Sequence, residues 1–528
     1  MKTKDRHNIL GEVCQRVTDQ YGTSPELVEQ TLFDTIYWER KRIEKIRDPK
    51  KARLDSRFYD DLYRNTATGS PTDHKTLLNQ LVSKFAHQVV GHFDQRIYDL
   101  TTKTIPPSLN LLLNSVTPLK LARSFGGISK LREQLKITGD VEGLKRSCKN
   151  GTVVLLPTHV SNLDSILIGF ALFKMGLPPF TFGAGLNLFS NKFMGFFMEN
   201  LGAYKVDRLN VSSLYKDTLK TYAGCTMEHG YHNLFFPGGT RIRSGDVEPK
   251  IKMGLLGMTL DAYIHNLLNK KNNPDITIIP CTLNYQLVLE AETLVDDHLR
   301  DVGKSRYIIE DDEFSKPKRI LEFVSKLFSL SSEINFVIGS PMDVFGNKLD
   351  KKGHSLDFKG RSIDPRKYVL VDGKPGFDSA RDKEYIREMS KEVKAAFKRD
   401  TMLNSTNLMA YTVYQQLKFA NPECDHYRLL RTGGKYESFP LRDIYSRLET
   451  NINQARSLAS QGKLRLDQSL QTKDPIAIAS EALAHLRSYH TTPAMERHGD
   501  RLFHKDRNLI LYYQNRVESL NLFNSESA

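Results

Sequence analysis

A histidine and an aspartate five residues apart, His159 and Asp164, stand where one apolar run ends and another begins, in VVLLPTHVSNLDSILIGFAL (153–172). Histidine is the side chain best suited to accept a proton near neutral pH. A carboxylate on its second ring nitrogen fixes the tautomer and stabilises the imidazolium as it forms. Such a pair activates a hydroxyl nucleophile without a serine or cysteine of the protein. Ser161–Asp164 also reads S-x-x-D, a helix-capping pattern, so on spacing alone a capping role stands beside the catalytic one.

A second segment, NLFFPGGTRIRSG (233–245), ends an apolar run at Phe236 and turns through Pro237-Gly238-Gly239. Glycine admits close approach of a ligand to the backbone, as at Gly239. Arg241 and Arg243 offer planar donor forks matched to phosphate oxygens, and Thr240 and Ser244 add hydroxyls. A solvated surface turn is the alternative. GAYKVDR (202–208) is a short strand ending on Arg208, and ITIIPCTLNY (276–285) is an apolar strand holding Pro280. Proline in a strand marks an edge, a bulge or the wall of a site.

The elements that must carry these residues alternate. Strands are expected at Thr152–Leu156, Ala203–Val206, Asn233–Phe236, Ile276–Leu283 and Ile334–Ile338, with helical patterns at 163–175, 211–229 and 252–271. That order predicts an α/β fold with a mostly parallel sheet flanked by helices. Residues 1–120 read as a helical accessory domain, with a start at Ser24-Pro25-Glu26 and a second helix at 77–100 after the turn-rich TATGSPTDHK (66–75). Residues 121–372 form the α/β domain, and residues 373–528 return to helix. No repeat of solenoid period is evident.

The chain has 528 residues, 76 Lys and Arg against 62 Asp and Glu, and a net charge of +14. The basic excess suits phosphorylated substrates or an acidic membrane surface. No recognition-helix, RRM or zinc-finger pattern supports nucleic acid as the partner. The five cysteines lie scattered, with no metal-ligand spacing. No stretch is long and apolar enough to span a bilayer; the nearest are 105–116 and 186–201. The second holds Leu188, Phe189, Phe193, Phe196 and Phe197, which suit an interfacial helix, a cover for an acyl channel, or ordinary core packing.

Taken in order, the four segments resemble the blocks of the glycerophospholipid acyltransferase superfamily. The matching residues are His159 and Asp164; Gly202 and Arg208; Gly239, Arg241 and Arg243; and Pro280. The pair of arginines, the stretch NYQLVLEAETLVDDHLRDVGKSR and the C-terminal NLILYYQNRVESL (508–520) are most similar to the long glycerol-3-phosphate or dihydroxyacetone-phosphate acyltransferases. The resemblance implies His159 as base and Asp164 as its partner. It places Arg208, Gly239, Thr240, Arg241, Arg243 and Pro280 around the acceptor, and oxyanion donors at the helix start after His159. It also implies acyl-CoA or an acyl carrier protein as co-substrate, no metal or redox cofactor, and work at a membrane surface on the cytoplasmic side. A lysophosphatidate acceptor and a non-catalytic lipid-binding relative are the alternatives. One departure stands out: these families usually carry glutamate where this chain has Gly238. Either a neighbour such as Asp207, Asp246 or Glu248 replaces that carboxylate, or activity and substrate choice differ.

Overall fold

In a computed structural model of the chain, the described residues are 3–46, 48–99, 134–189, 192–302, 319 and 332–523. Four helices come first: α1 (Thr3–Tyr21), α2 (Pro25–Ile43), α3 (Pro49–Thr68) and α4 (Pro71–Val89). Ser24 caps α2 through a bond from Leu27 N, with Pro25 at the first helical position. The helix expected at 77–100 begins earlier, at Pro71, because Ser70 and Asp73 form a reciprocal capping box. It stops at Val89. These helices close a core of their own around Leu32, Tyr59, Leu78 and Phe85, which continues onto Tyr204, Tyr215 and Tyr222 of the α/β region.

The α/β region runs β1 (Leu135–Gly139), α5 (Val141–Asn150), β2 (Thr152–Pro157), α6 (Asp164–Lys174), β3 (Thr181–Gly185), α7 (Lys192–Asn200), β4 (Ala203–Val206), α8 (Ser213–Glu228), β5 (Asn233–Leu234), α9 (Met253–Leu268), β6 (Ile276–Tyr285), α10 (Ala291–Val302) and β7 (Ile334–Ile338). The seven strands form one sheet in the order β1-β7-β6-β2-β5-β3-β4. β6, β2, β5, β3 and β4 are mutually parallel, while β7 pairs antiparallel with β6 and parallel with β1. The sheet is thus mostly parallel and flanked by helices, and β2 and β6 are buried along their whole length, as central parallel strands require.

Two strands of this sheet escape a sequence reading. β1 is an edge strand of mixed exposure. β3 (TFGAG) is rich in glycine, which weakens strand propensity. Packing demands the glycine, because a Cβ on Gly183 would lie 2.9 Å from the Tyr204 ring. Pro280 sits in an interior strand, not at an edge, and marks a bulge. Cys281 faces Ile338 and Ile278 faces Met342, so three steps on β6 oppose four on its neighbour. Gly339 N donates to the Pro280 carbonyl at 2.8 Å within that extra step.

After β7 the chain makes three turns of one pattern, D-x-x-G-x-x-[LI], at Asp343, Asp350 and Asp357. Each aspartate Oδ1 accepts backbone N–H bonds from residues two and four ahead, at 2.8–2.9 Å. Gly346, Gly353 and Gly360 have φ of 90°, 94° and 78°, the left-handed conformation glycine favours. This seven-residue period is too short to register in a search at solenoid lengths.

Seven helices follow: α11 (Ser379–Asp400), α12 (Ser405–Ala420), α13 (His426–Thr432), α14 (Leu441–Ser460), α15 (Gln468–Thr472), α16 (Pro475–Ser488) and α17 (Arg507–Glu518). Their apolar faces share one continuous core with β2, β6 and β7. No helix among the described residues is long and apolar enough to cross a membrane. The stretch 105–116 and the side chains of Leu188, Phe193 and Phe197 lie outside the described residues. Phe196 is exposed on α7, and Phe189 packs beside a small cluster of Ala184, Met198 and Ala203.

Candidate active site

The C-terminal edge of β2 delivers His159, and the loop that follows folds back so that Asp164 opens α6. Loops at this edge of a parallel sheet converge on one crevice. His159 Nδ1 lies 2.9 Å from Asp164 Oδ2. The same carboxylate oxygen accepts N–H bonds from Val160 at 2.7 Å and Ser161 at 2.9 Å, and Tyr285 at the end of β6 donates its hydroxyl to Oδ1. Asp164 is fully buried. The helix starts at Asp164 after Leu163 with no side-chain cap, so the capping box expected of S-x-x-D does not form; the Asp164 carboxylate instead ties the loop and orients the imidazole.

A carboxylate on Nδ1 makes that nitrogen the proton bearer and leaves Nε2 with the lone pair. The ring stacks on Phe236 with centroids 4.0 Å apart and planes 20° from parallel. Burial pushes the His159 pKa below its usual value; Asp164 opposes this, and Arg241 and Arg208 add to the lowering. The imidazole is thus held neutral at physiological pH, in the form that takes a proton.

Arg208 follows β4 after the turn at Gly202, whose φ is 92°. It reaches solvent yet is crowded by protein, and its pKa is lowered first by that burial and then by Arg241 and Arg243. Three arginines from two loops thus face one place, an arrangement that an anion would relieve. Arg241 Nη1 lies 3.5 Å from Glu290 Oε1, and Arg243 Nη1 lies 2.6 Å from Asp297 on α10. Ile242 N donates to the His159 carbonyl at 2.7 Å, which locks the arginine loop to the histidine loop. Gly239 has a φ of 75°, and Thr240 is half-buried between it and Arg241. Pro280 is buried on β6 beside Leu156 of β2, three residues before His159 in the chain. His159, Asp164, Arg208 and the Gly239–Arg243 loop come together; Pro280 shapes the strand beneath them.

The loop between His159 and α6 has little left to give an oxyanion. The N–H groups of Val160 and Ser161 go to Asp164, that of Asn162 to Glu290, and that of Leu163 to Ser161 Oγ. These four N–H groups are consumed in holding the loop's own shape, which leaves the first turn of α6 itself as the place for the expected oxyanion donors.

Sequence reasoning missed several residues. Glu290 is fully buried and accepts from Ser161 Oγ at 2.8 Å and Asn162 N at 3.0 Å while facing Arg241. Its signal was a lone acid in the apolar run LVLEA (287–291). Tyr285 and Arg516 left fainter marks. Arg516 is buried on α17, its Nη1 3.5 Å from Asn284 Oδ1.

Residues 139–284 match the family model described as Acyltransferase. A glycerol-3-phosphate acyltransferase of Aeromonas hydrophila is 30% identical over 181 residues, which cover 33% of this chain and 21% of the relative. One from Pseudomonas fluorescens strain SBW25 is 28% identical over 185 residues, covering 35% and 21%. The dihydroxyacetone phosphate acyltransferase of Oryctolagus cuniculus is 26% identical over 294 residues, covering 54% of this chain and 41% of the relative. The match thus spans well under half the length of these relatives. The family-model match over residues 139–284 encloses His159, Asp164 and all three arginines.

Proposed function

We propose that the chain transfers a fatty acyl group from an acyl thioester to the free hydroxyl of glycerol 3-phosphate, giving 1-acylglycerol 3-phosphate. The observation that carries this reading is a neutral, Asp-bound histidine opening onto a cluster of three arginines. His159 Nε2 takes the proton from the acceptor hydroxyl as its oxygen attacks the thioester carbonyl. The C–S bond then breaks, and the thiolate leaving group recovers the proton from the imidazolium. Asp164 holds the positive charge that His159 carries between the two transfers. Arg208, Arg241 and Arg243 grip the acceptor phosphate and so bring its hydroxyl to the base. The reaction so written needs no metal or redox cofactor, and acyl-CoA or an acyl carrier protein serves as donor. A long-chain donor and product suit work at a membrane surface facing the cytoplasm.

Dihydroxyacetone phosphate is the second acceptor to consider, because the match to its acyltransferases extends over the longer stretch, 294 residues. The test is release of free thiol from palmitoyl-CoA, with a carrier-protein donor run beside it. Glycerol 3-phosphate, dihydroxyacetone phosphate and lysophosphatidate are compared in liposomes. Thiol release dependent on glycerol 3-phosphate is expected, with His159→Ala lowering it by about 10²–10⁴-fold. No release with any acceptor and either donor would sink the enzymatic reading in favour of a lipid binder.

A further inference from the structure

Two glycines in succession, Gly238 and Gly239, each leave room that another residue's side chain fills. A Cβ built on Gly238 would lie 2.4 Å from Glu248 Oε2 and 2.5 Å from Glu248 Cδ. A Cβ on Gly239 would lie 2.7 Å from Lys252 Nζ. The segment that returns these groups is registered on the glycine turn by the backbone, since Lys252 N donates to the Pro237 carbonyl at 2.8 Å. A carboxylate and an ammonium therefore occupy adjacent positions on the turn that leads into Arg241 and Arg243.

Their chemistry is unequal. Glu248 is buried and its Oε2 has no hydrogen-bond partner. A buried carboxylate oxygen left without a partner is costly unless it serves nearby cations or a ligand. Lys252 reaches solvent, yet burial by its neighbours and then Arg208 lower its pKa, while Glu248 works for its charge. Burial raises the Glu248 pKa to about 7, against the opposing pull of the Lys250 backbone N–H and of the Lys252 and Lys394 charges. Gly238 itself is not in the left-handed region. What excludes a side chain there is the Glu248 carboxylate.

We propose that Glu248 is the positioning residue of the acceptor-phosphate subsite: its carboxylate, delivered over Gly238, holds the Lys252 ammonium charged and in place over Gly239 beside Arg208. It thereby supplies, from ten residues downstream, the carboxylate that the resembling families carry at the position of Gly238. The inference rests on the acceptor being phosphorylated, as the proposed function has it. Asp207 and Asp246, the other neighbours able to replace that carboxylate, are engaged elsewhere: Asp207 with Arg42 at 3.4 Å, and Asp246 with Ser244 Oγ at 2.7 Å.

The test is a cycle of E248Q, K252M and the double variant in the full chain, read in two ways. Calorimetry measures inorganic phosphate binding; kinetics measures KM for glycerol 3-phosphate and, separately, for palmitoyl-CoA. E248Q is expected to weaken phosphate binding and raise the acceptor KM by about ten-fold, leaving the donor KM and the melting temperature unmoved. Because Glu248 acts through Lys252, the double variant should be no weaker than K252M alone. The exchange G238E/E248A should bind phosphate better than E248A. An E248Q effect under about two-fold, losses that multiply in the double variant, or an exchange no better than E248A would each overturn the proposal. Wild-type protein that binds phosphate yet turns over no acceptor would defeat the enzymatic reading. The phosphate-binding cycle would still decide the role of Glu248.

Discussion

The two helical regions that flank the seven-stranded sheet each brace one of its basic loops, and they do so with different chemistry. The N-terminal helices hold the Arg208 loop with buried charge. Arg42 of α2 lies 2.8 Å from Glu39, 2.9 Å from Asp55 and 3.4 Å from Asp207, the residue before Arg208. Glu39 in turn accepts from Asn210 Nδ2, two residues after Arg208. The C-terminal helices hold the Arg241–Arg243 loop and the β6 exit with neutral bonds. Asn515 Nδ2 donates to the Ser244 carbonyl at 2.8 Å, Val247 N to Ser519 Oγ at 3.1 Å, and Val288 N to Tyr513 Oη at 3.2 Å. One brace concentrates its hold in a single guanidinium; the other spreads it over a helix. The first should fail at one substitution and the second by degrees.

Arg42→Ala is the strongest way to break the comparison. It leaves Glu39, fully buried, with Asp55 and Asp207 and no guanidinium among them. Stranding buried charge of this kind costs about 3–5 kcal/mol. Urea denaturation should show a loss of that order, together with a higher acceptor KM because the Arg208 loop is freed. A loss below ~1 kcal/mol, the range of exposed pairs, would show that the N-terminal brace is no stiffer than a surface contact.

The C-terminal brace has one tight point. Gly245 has a φ of 82°, and a Cβ there would lie 1.9 Å from the Tyr512 carbonyl. Gly245→Ala should therefore cost about 1–3 kcal/mol through strain and overpacking, and should displace α17 from the arginine loop. Raised exchange of the 244–247 amides in hydrogen–deuterium measurements, with those near Arg208 unchanged, would show that the two braces act separately.

The contrast also marks where sequence reading succeeds. β4 and β7 fall on their expected residues, Ala203–Val206 and Ile334–Ile338, because short apolar runs between turns leave little choice. His159 and Asp164 were legible because both lie in one loop, so spacing is nearly geometry. Arg42 and Asp207 are 165 residues apart, and Asn515 and Ser244 are 271 apart. No local period encodes such pairs. Glu248 was legible only as one of three candidates, since choosing it needs the space over Gly238. The turn repeat at Asp343, Asp350 and Asp357 was plain in the sequence, at a period shorter than the one sought.

Acid acts on the C-terminal brace through a buried histidine. Burial pushes the His490 pKa down to about 3, Arg319 adding to it, and His490 Nε2 lies 3.0 Å from Tyr513 Oη on α17. A folded-state pKa below the unfolded value means the unfolded chain binds the extra proton. The stabilisation is complete above about pH 6.5 and is lost as pH falls toward about 3, at about 1.4 kcal/mol per unit. His490→Gln removes the titration and leaves an amide able to bond Tyr513. Its stability should fall less steeply than wild type over that window, whereas equal slopes would show that His490 does not govern the C-terminal brace.

The smallest expected effect is the most diagnostic of a distributed hold. Asn515→Ala removes one bond to the Ser244 carbonyl while Val247–Ser519 and the Gly245–Tyr512 contact remain. A single neutral bond is worth about 1 kcal/mol. Urea denaturation should register roughly that loss, and the acceptor KM should stay within about two-fold of wild type. Adding Ser519→Ala should then cost more than the two single losses combined, because the loop parts from the end of α17 only when its last hydrogen bond to that end goes. Simple additivity would mean that packing against Tyr512, and not the hydrogen bonds, keeps Arg241 and Arg243 aimed at the site.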